Sequence, residues 1–190
     1  MSPTLKQKLI VSFIALGLSA PAAFFVYDVT IPSEGLYTSV YLDPVQLPTV
    51  CVGRLDRKLK LGQTFTLDEC MEMLAQDWKK HQAQLDRVVK VPYKSEWQQQ
   101  ALTDFTFNLG IGNVQSSTLL KLLNQGKHVE ACKQLTRWIK AGGKTLAGLV
   151  KRRNKEMPFC MGELSWDKQQ SYKEFKREYD EINTKQKEGS

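Results

Sequence analysis

Histidine occurs only twice in this 190-residue chain, at His81 and His128, and none of the four cysteines belongs to a CxxC pair. With no HxxxH either, the ligand spacing of a zinc site is missing and no metal is expected. No internal repeat is visible. No nucleic-acid-binding pattern accompanies the basic stretches "RWIKAGGK" and "KRRNKE". They read as a solvated helical face, and no nucleic-acid partner is expected. Charge is missing from residues 9–27, and cysteine from residues 1–50.

What is present bounds the rest. The length suits one ordinary domain with appendages and is enough to bury a core without staples. The net charge is +7, and the excess lies wholly in residues 34–162, since residues 1–33 carry +1 and residues 163–190 carry −1. A basic body fits a polyanionic partner such as nucleic acid, an anionic membrane surface or the bacterial cell wall.

The charge-free run "LIVSFIALGLSAPAAFFVY" (9–27) follows Lys6 and Lys8 and precedes Asp28. Its length just reaches the range of a membrane-spanning helix, and the basic flank orients it N-in, C-out. Ser12, Ala15, Gly17, Ser19, Ala20, Ala22 and Ala23 dilute its hydrophobes, and Pro21 lies inside it. Two readings stand: a cleaved signal peptide with "APA" at 20–22 as the small-residue site, and an uncleaved, marginal anchor. Either one exports the rest of the chain. In an exported chain an even cysteine count favours disulfides. Of the three pairings, the sequence-local one, Cys51–Cys70 with Cys132–Cys160, is preferred.

In the body, "TVCVG" (49–53) and "LKLGQTF" (59–65) read as short strands joined by a polar turn through Arg54, Asp56 and Arg57. Helical signals follow. Thr66 and Glu69 form a capping box that opens a helix to about Val89. Ser95 and Gln98 form a second, before a helix through Phe107. Ser116 or Ser117 caps a helix that stops at Gly126. "HVEACKQLTRWIKAGG" reads as a helix ended by Gly142-Gly143, and "KTLAGLVKRRNKE" as the next. From Ser165, the residues Trp166, Tyr172, Phe175, Tyr179 and Ile182 form an apolar stripe on a last helix. The expected fold is α+β and mainly α. An anchor segment (1–33) precedes a two-lobed body (34–162) and a helical extension (163–190). A cleft between a small β lobe and a helical lobe is a natural ligand site.

The segment "EGLYTSVYLDPVQLPT" (34–49) sets Glu34 and Asp43 into otherwise uncharged surroundings, with Thr49 beyond. Cleavage of a glycosidic bond needs a proton donor for the leaving oxygen, and a second carboxylate to activate water or attack the sugar. Leu36 and Tyr37 offer an apolar setting that would suit the donor, and the Thr49 hydroxyl can hold a water. The blander alternative is that Glu34 caps a helical turn and Asp43-Pro44 makes a β-turn.

The segment resembles the catalytic region of the tailed-phage lysozymes, glycoside hydrolase family 24, whose pattern is E, eight residues, D or C, five residues, T. Glu34, Asp43 and Thr49 match it. "FNLGIGNVQSSTLLKLLNQG" (107–126), "ACKQLTRWIKAGG" (131–143) and "GLVKRRNKE" (148–156) resemble later blocks of that family in the same order, so the resemblance covers roughly 34–161. It implies a lysozyme-like fold. It also implies a muramidase cutting between N-acetylmuramic acid and N-acetylglucosamine in peptidoglycan, with Glu34 as general acid, Asp43 assisting water and Thr49 positioning it. A monomer needing no cofactor is expected, because acid–base hydrolysis needs only water and two carboxyls. Arg152 and Arg153 are candidates for binding substrate or holding Glu34. Where the family often has a histidine after "TVCVG", this chain has Arg54. The alternatives are a lytic transglycosylase and a non-catalytic, membrane-anchored wall-binding protein.

Within that family, residues 9–27 are similar to a signal-arrest-release sequence, which implies the host inner membrane and secretion machinery as partners. Tethering is expected to precede release to the periplasm. Some relatives swap a cysteine of the anchor on release. With no cysteine in residues 1–50, steric or conformational activation is expected instead.

Overall fold

The computed structural model describes residues 3–43 and 46–189. Thr4 opens helix α1 (Leu5–Ala15) through a reciprocal capping box with Gln7. The helix stops where Gly17 takes φ +70°, a conformation open to glycine at little cost. Ser19 then caps α2 (Ala20–Phe25), with Pro21 in its first turn. The backbone stays helical through a π turn at Val26–Thr30 and a last turn, α3 (Ile31–Glu34), until Gly35 ends it at φ 81°.

The membrane-length helix expected over 9–27 is therefore divided. Gly17 and the Ser19–Pro21 start signal break it, and among the described residues no helix is long and apolar enough to cross a membrane. The hydrophobes of this run are core instead: Leu9, Ile10, Phe13, Ala23, Phe25 and Val26 are fully buried.

An antiparallel sheet follows, in the order β1 (Tyr37–Leu42), β2 (Pro48–Cys51), β3 (Arg54–Leu55). Tyr41 pairs with Thr49, and Thr49 with Leu55. The strand expected over 59–65 is corrected. A tight turn at Val52-Gly53 makes Arg54–Leu55 the neighbour of β2. Residues 59–65, interrupted by Gly62 at φ +80°, contribute only the isolated bridge Ser39–Thr64.

α4 (Leu67–Asp86) begins at the expected box. Thr66 N–H donates to Glu69 Oε2 at 2.7 Å, and Glu69 N–H to Thr66 Oγ1 at 3.2 Å. α5 (Glu96–Leu109) is capped by Ser95. α6 (Ile111–Ser116), α7 (Thr118–Leu123, capped by Ser117) and α8 (His128–Lys133) follow. The helix expected to run from His128 to Gly142-Gly143 ends early in a 3₁₀ turn, Gln134–Arg137. The glycine pair instead turns a hairpin between β4 (Lys140–Ala141) and β5 (Lys144–Thr145). α9 (Ala147–Met161) and α10 (Trp166–Glu188) complete the chain. The disulfides are the sequence-local pair. Cys51–Cys70 joins β2 to α4 and Cys132–Cys160 joins α8 to α9.

The described residues divide into two compact units, 1–77 with 173–190, and 78–172. In the first, Phe13, Phe25, Val50 and Met71 are fully buried. In the second, Trp78, Phe105, Leu123 and Leu135 are fully buried. There Trp78 Nε1 donates to Gln100 Oε1 at 3.1 Å, and Phe105 meets Trp138 edge to face at 5.6 Å.

Candidate active site

The three residues matched to the pattern all lie in the first unit, around the small sheet. Glu34 is the last helical residue before Gly35. Its half-buried side chain lies against the backbone of Gly53 in the β2–β3 turn. A Cβ added at Gly53 would stand 3.1 Å from Glu34 Oε2 and 3.4 Å from its Cδ. Gly53 also has φ +69°. Position 53 thus needs glycine twice, for its turn and for the close approach of the carboxyl.

Asp43 follows β1 and folds the chain back on itself. Its Oδ1 accepts from Leu47 N–H at 2.8 Å, and its own N–H donates to Leu47 O at 3.0 Å. Pro44, named with Asp43 as a turn, lies outside the described residues. Thr49 is buried on β2 and its Oγ1 donates to Leu47 O at 3.0 Å. A single residue, Leu47, therefore holds both side chains, one through its N–H and one through its carbonyl. Because the Thr49 proton is committed to that carbonyl, its oxygen faces other partners as an acceptor.

Tyr41, the cross-strand partner of Thr49, was not singled out from the sequence. Burial holds its phenol above the ordinary value, and Tyr37, Glu34 and Asp43 add to the effect through their charge. Tyr37 packs on Tyr41 at 4.8 Å and is half exposed, at 53%. The signal that could have found this pair is two tyrosines four positions apart on the strand that leads into Asp43, a spacing that sets both rings on one face.

Arg54, at the family's histidine position, lies 3.5 Å from both carboxylate oxygens of Asp77. In this chain the position gives Asp77 a cationic partner.

Arg152 and Arg153 lie in the second unit and are buried, at 3% and 0% exposure. Arg152 donates from Nε and Nη2 to Asp104 at 2.8 Å each. Arg153 donates from Nη1 to Glu156 at 2.6 Å, from Nε to the Trp138 carbonyl at 3.2 Å, and also to Asn108. Burial, then the charge of Asp104, raises the Glu156 carboxyl well above its ordinary range, against the two arginines. Neither guanidinium faces solvent, where a saccharide would lie. Their placement is that of a buried ion network, in which removing one partner strands the others.

Comparison with known proteins decides the family. The family model for phage lysozyme matches residues 32–156. The chain belongs to the phage lysozyme family. A SAR-endolysin of Bacteriophage PS119 is 39% identical over 136 residues, which cover 72% of this chain and 78% of that one. This lysozyme is thus of the SAR-endolysin type. Among solved structures, the endolysin from Escherichia coli O157:H7 phage FAHEc1 is 26% identical with a TM-score of 0.63, covering 86% of this chain and 97% of that one. The active form of P1 phage endolysin Lyz matches with a TM-score of 0.67 over 83% of this chain and 94% of that one; at 18% identity it speaks for the fold alone. The fold is lysozyme-like, helical with small sheets.

Proposed function

We propose that this lysozyme hydrolyses the bond between N-acetylmuramic acid and N-acetylglucosamine in peptidoglycan, with Glu34 as general acid and a water activated by Asp43 and Thr49. The observation that carries the reading is the shared tether at Leu47, which fixes the Asp43 carboxylate and the Thr49 hydroxyl relative to one another. Glu34 gives its proton to the leaving glycosidic oxygen. A water placed between Asp43 and Thr49 donates one hydrogen bond to each, which turns a lone pair toward the anomeric carbon. As the carbon–oxygen bond breaks and the water oxygen attacks, Asp43 takes the water's proton. The proton count balances once Asp43 releases that proton to solvent and Glu34 takes one up. A water attacking from the face opposite the leaving group inverts the anomeric carbon, an arrangement that needs carboxyls about 6.5–9.5 Å apart.

Residues 9–27 act as a releasable anchor, N-in and C-out in the host inner membrane, from which the chain escapes to the periplasm. Their seven small residues leave little hydrophobic free energy to hold the span in lipid. Glu34 ends a helical run that begins at Ala20, so part of the former span becomes the helix on which Glu34 sits. In the tethered state that part lies in lipid, and Glu34, only seven residues past the span, stays within about 25 Å of it. Release is what assembles the site. A tethered form digesting wall as fast as the released form contradicts this.

The chemistry is tested by mass spectrometry of peptidoglycan fragments from the released chain and its Glu34→Gln variant. Fragments with a reducing N-acetylmuramic acid are expected, reduced roughly 10²–10⁴-fold in rate by the variant. Anhydro ends would assign the chain to the transglycosylases, and no fragments from folded, released protein would leave a wall-binding role.

A further inference from the structure

The last helix falls outside the matched family region, which ends at residue 156, yet its middle turns are not idle. Only two residues of α10 are buried, Phe175 and Tyr179, and both meet the N-terminal run. Phe175 stands edge-on to Phe24 at 5.4 Å and tilted to Tyr27 at 5.8 Å. The Tyr179 hydroxyl donates to the Leu18 carbonyl, and Glu178 pairs with Lys6.

The choice of Leu18 matters. In an unbroken helix over 9–27 its carbonyl would accept from the N–H of Ala22. Here Ala22 N–H goes to the Ser19 side chain, because a new helix starts at that point. Breaking the span therefore strands one carbonyl, and Tyr179 takes it up. A buried carbonyl left without a partner is costly, so this hydroxyl specifically favours the broken form. The charges follow the same logic. Lys6 and Lys8, which hold the N-terminus inside while the anchor spans, meet Glu178 and Asp68 once folded against the body.

We propose that the middle of α10 is a receiving surface for the released anchor: Phe175 and Tyr179 recognise residues 18–27 only in their broken, membrane-free conformation and hold them there. A surface that binds one of two states shifts the balance toward it by its differential affinity, so α10 opposes return to the bilayer. The inference rests on reading residues 9–27 as a releasable anchor.

The test uses the full chain with Phe175→Ala, which removes the aromatic contact, and Tyr179→Phe, which removes only the hydroxyl. Two quantities are read: the ratio of released to membrane-retained chain after depolarisation, and amide hydrogen exchange over residues 18–27 in the purified released protein. Phe175→Ala should lower the ratio and speed exchange about tenfold, equivalent to about 1.4 kcal/mol, with a smaller change in the same direction for Tyr179→Phe. Wall digestion per released molecule should stay at the wild-type rate in both, which reports an intact fold. Unchanged ratio and exchange in both variants, with a wild type that does move from membrane to periplasm, would overturn the receiving surface and leave the anchor reading standing. A wild-type chain never found in the membrane fraction, or one beginning near Ala23, would sink the anchor reading and this inference with it.

Discussion

At Gly53 a single hydrogen atom decides whether Glu34 can occupy its place. Gly53→Ala adds a methyl at 3.1 Å from the Glu34 carboxylate at a residue with φ +69°, where an L side chain costs roughly 1–2 kcal/mol. The expected outcome is a folded protein with intact disulfides and wall digestion down at least about 100-fold, read by turbidity loss and circular dichroism. Near wild-type activity in that variant would mean that Glu34 does not need the place it occupies here. Of the candidate site, Glu34, Asp43 and Thr49 could be named because their spacing matched a known pattern, not because spacing alone specifies catalysis. Leu47 and Gly53 could not, since both act through the main chain and their side chains carry no chemical signal. Arg152 and Arg153 looked like free surface cations because a linear sequence does not show that Asp104, 48 positions away from Arg152, is carried to meet it.

Among the elements, the helices announced themselves by their caps. Thr66 with Glu69, Ser95 and Ser117 each sit where a helix begins. The failures share one cause, that glycine signals both a helix stop and a turn. Gly142 and Gly143 both take positive φ, 55° and 76°, the requirement of a tight two-residue hairpin. Gly17 has the same double meaning in the run 9–27, where it is tolerable in a straight helix and well suited to a break. Gly17→Ala meets no atom within 4 Å, so its effect is purely conformational. It favours the straight helix by roughly 1 kcal/mol and penalises φ +70° by about as much again. The variant should stay in the membrane fraction after depolarisation more than tenfold longer than wild type; equal release of both would show that the break at Gly17 does not govern escape.

For the molecule as a whole, the two compact units carry different duties. The first, 1–77 with 173–190, holds the matched acids, the apolar run 9–27 and the part of α10 whose Phe175 and Tyr179 meet it. The second holds a buried core and both histidines, each half-buried. Burial, and then the charge of Lys80, lower the pKa of His81 against a smaller opposing contribution from Gln84. A lowered folded-state value means the unfolded chain binds the proton first. The associated stability is present above the ordinary histidine value of about 6.5 and is lost as pH falls through it toward the folded value. Melting temperature should therefore drop between about pH 7 and about pH 5 more in wild type than in His81→Phe; parallel curves would remove His81 from the account. The proposed chemistry requires a water to attack from the side opposite the leaving group. The most direct measurement is nuclear magnetic resonance of the first-formed product from a β-linked wall oligosaccharide, recorded before mutarotation. The α anomer of N-acetylmuramic acid at the new end is the predicted result; the β anomer would contradict water activation by Asp43 and Thr49 and require a covalent intermediate in its place.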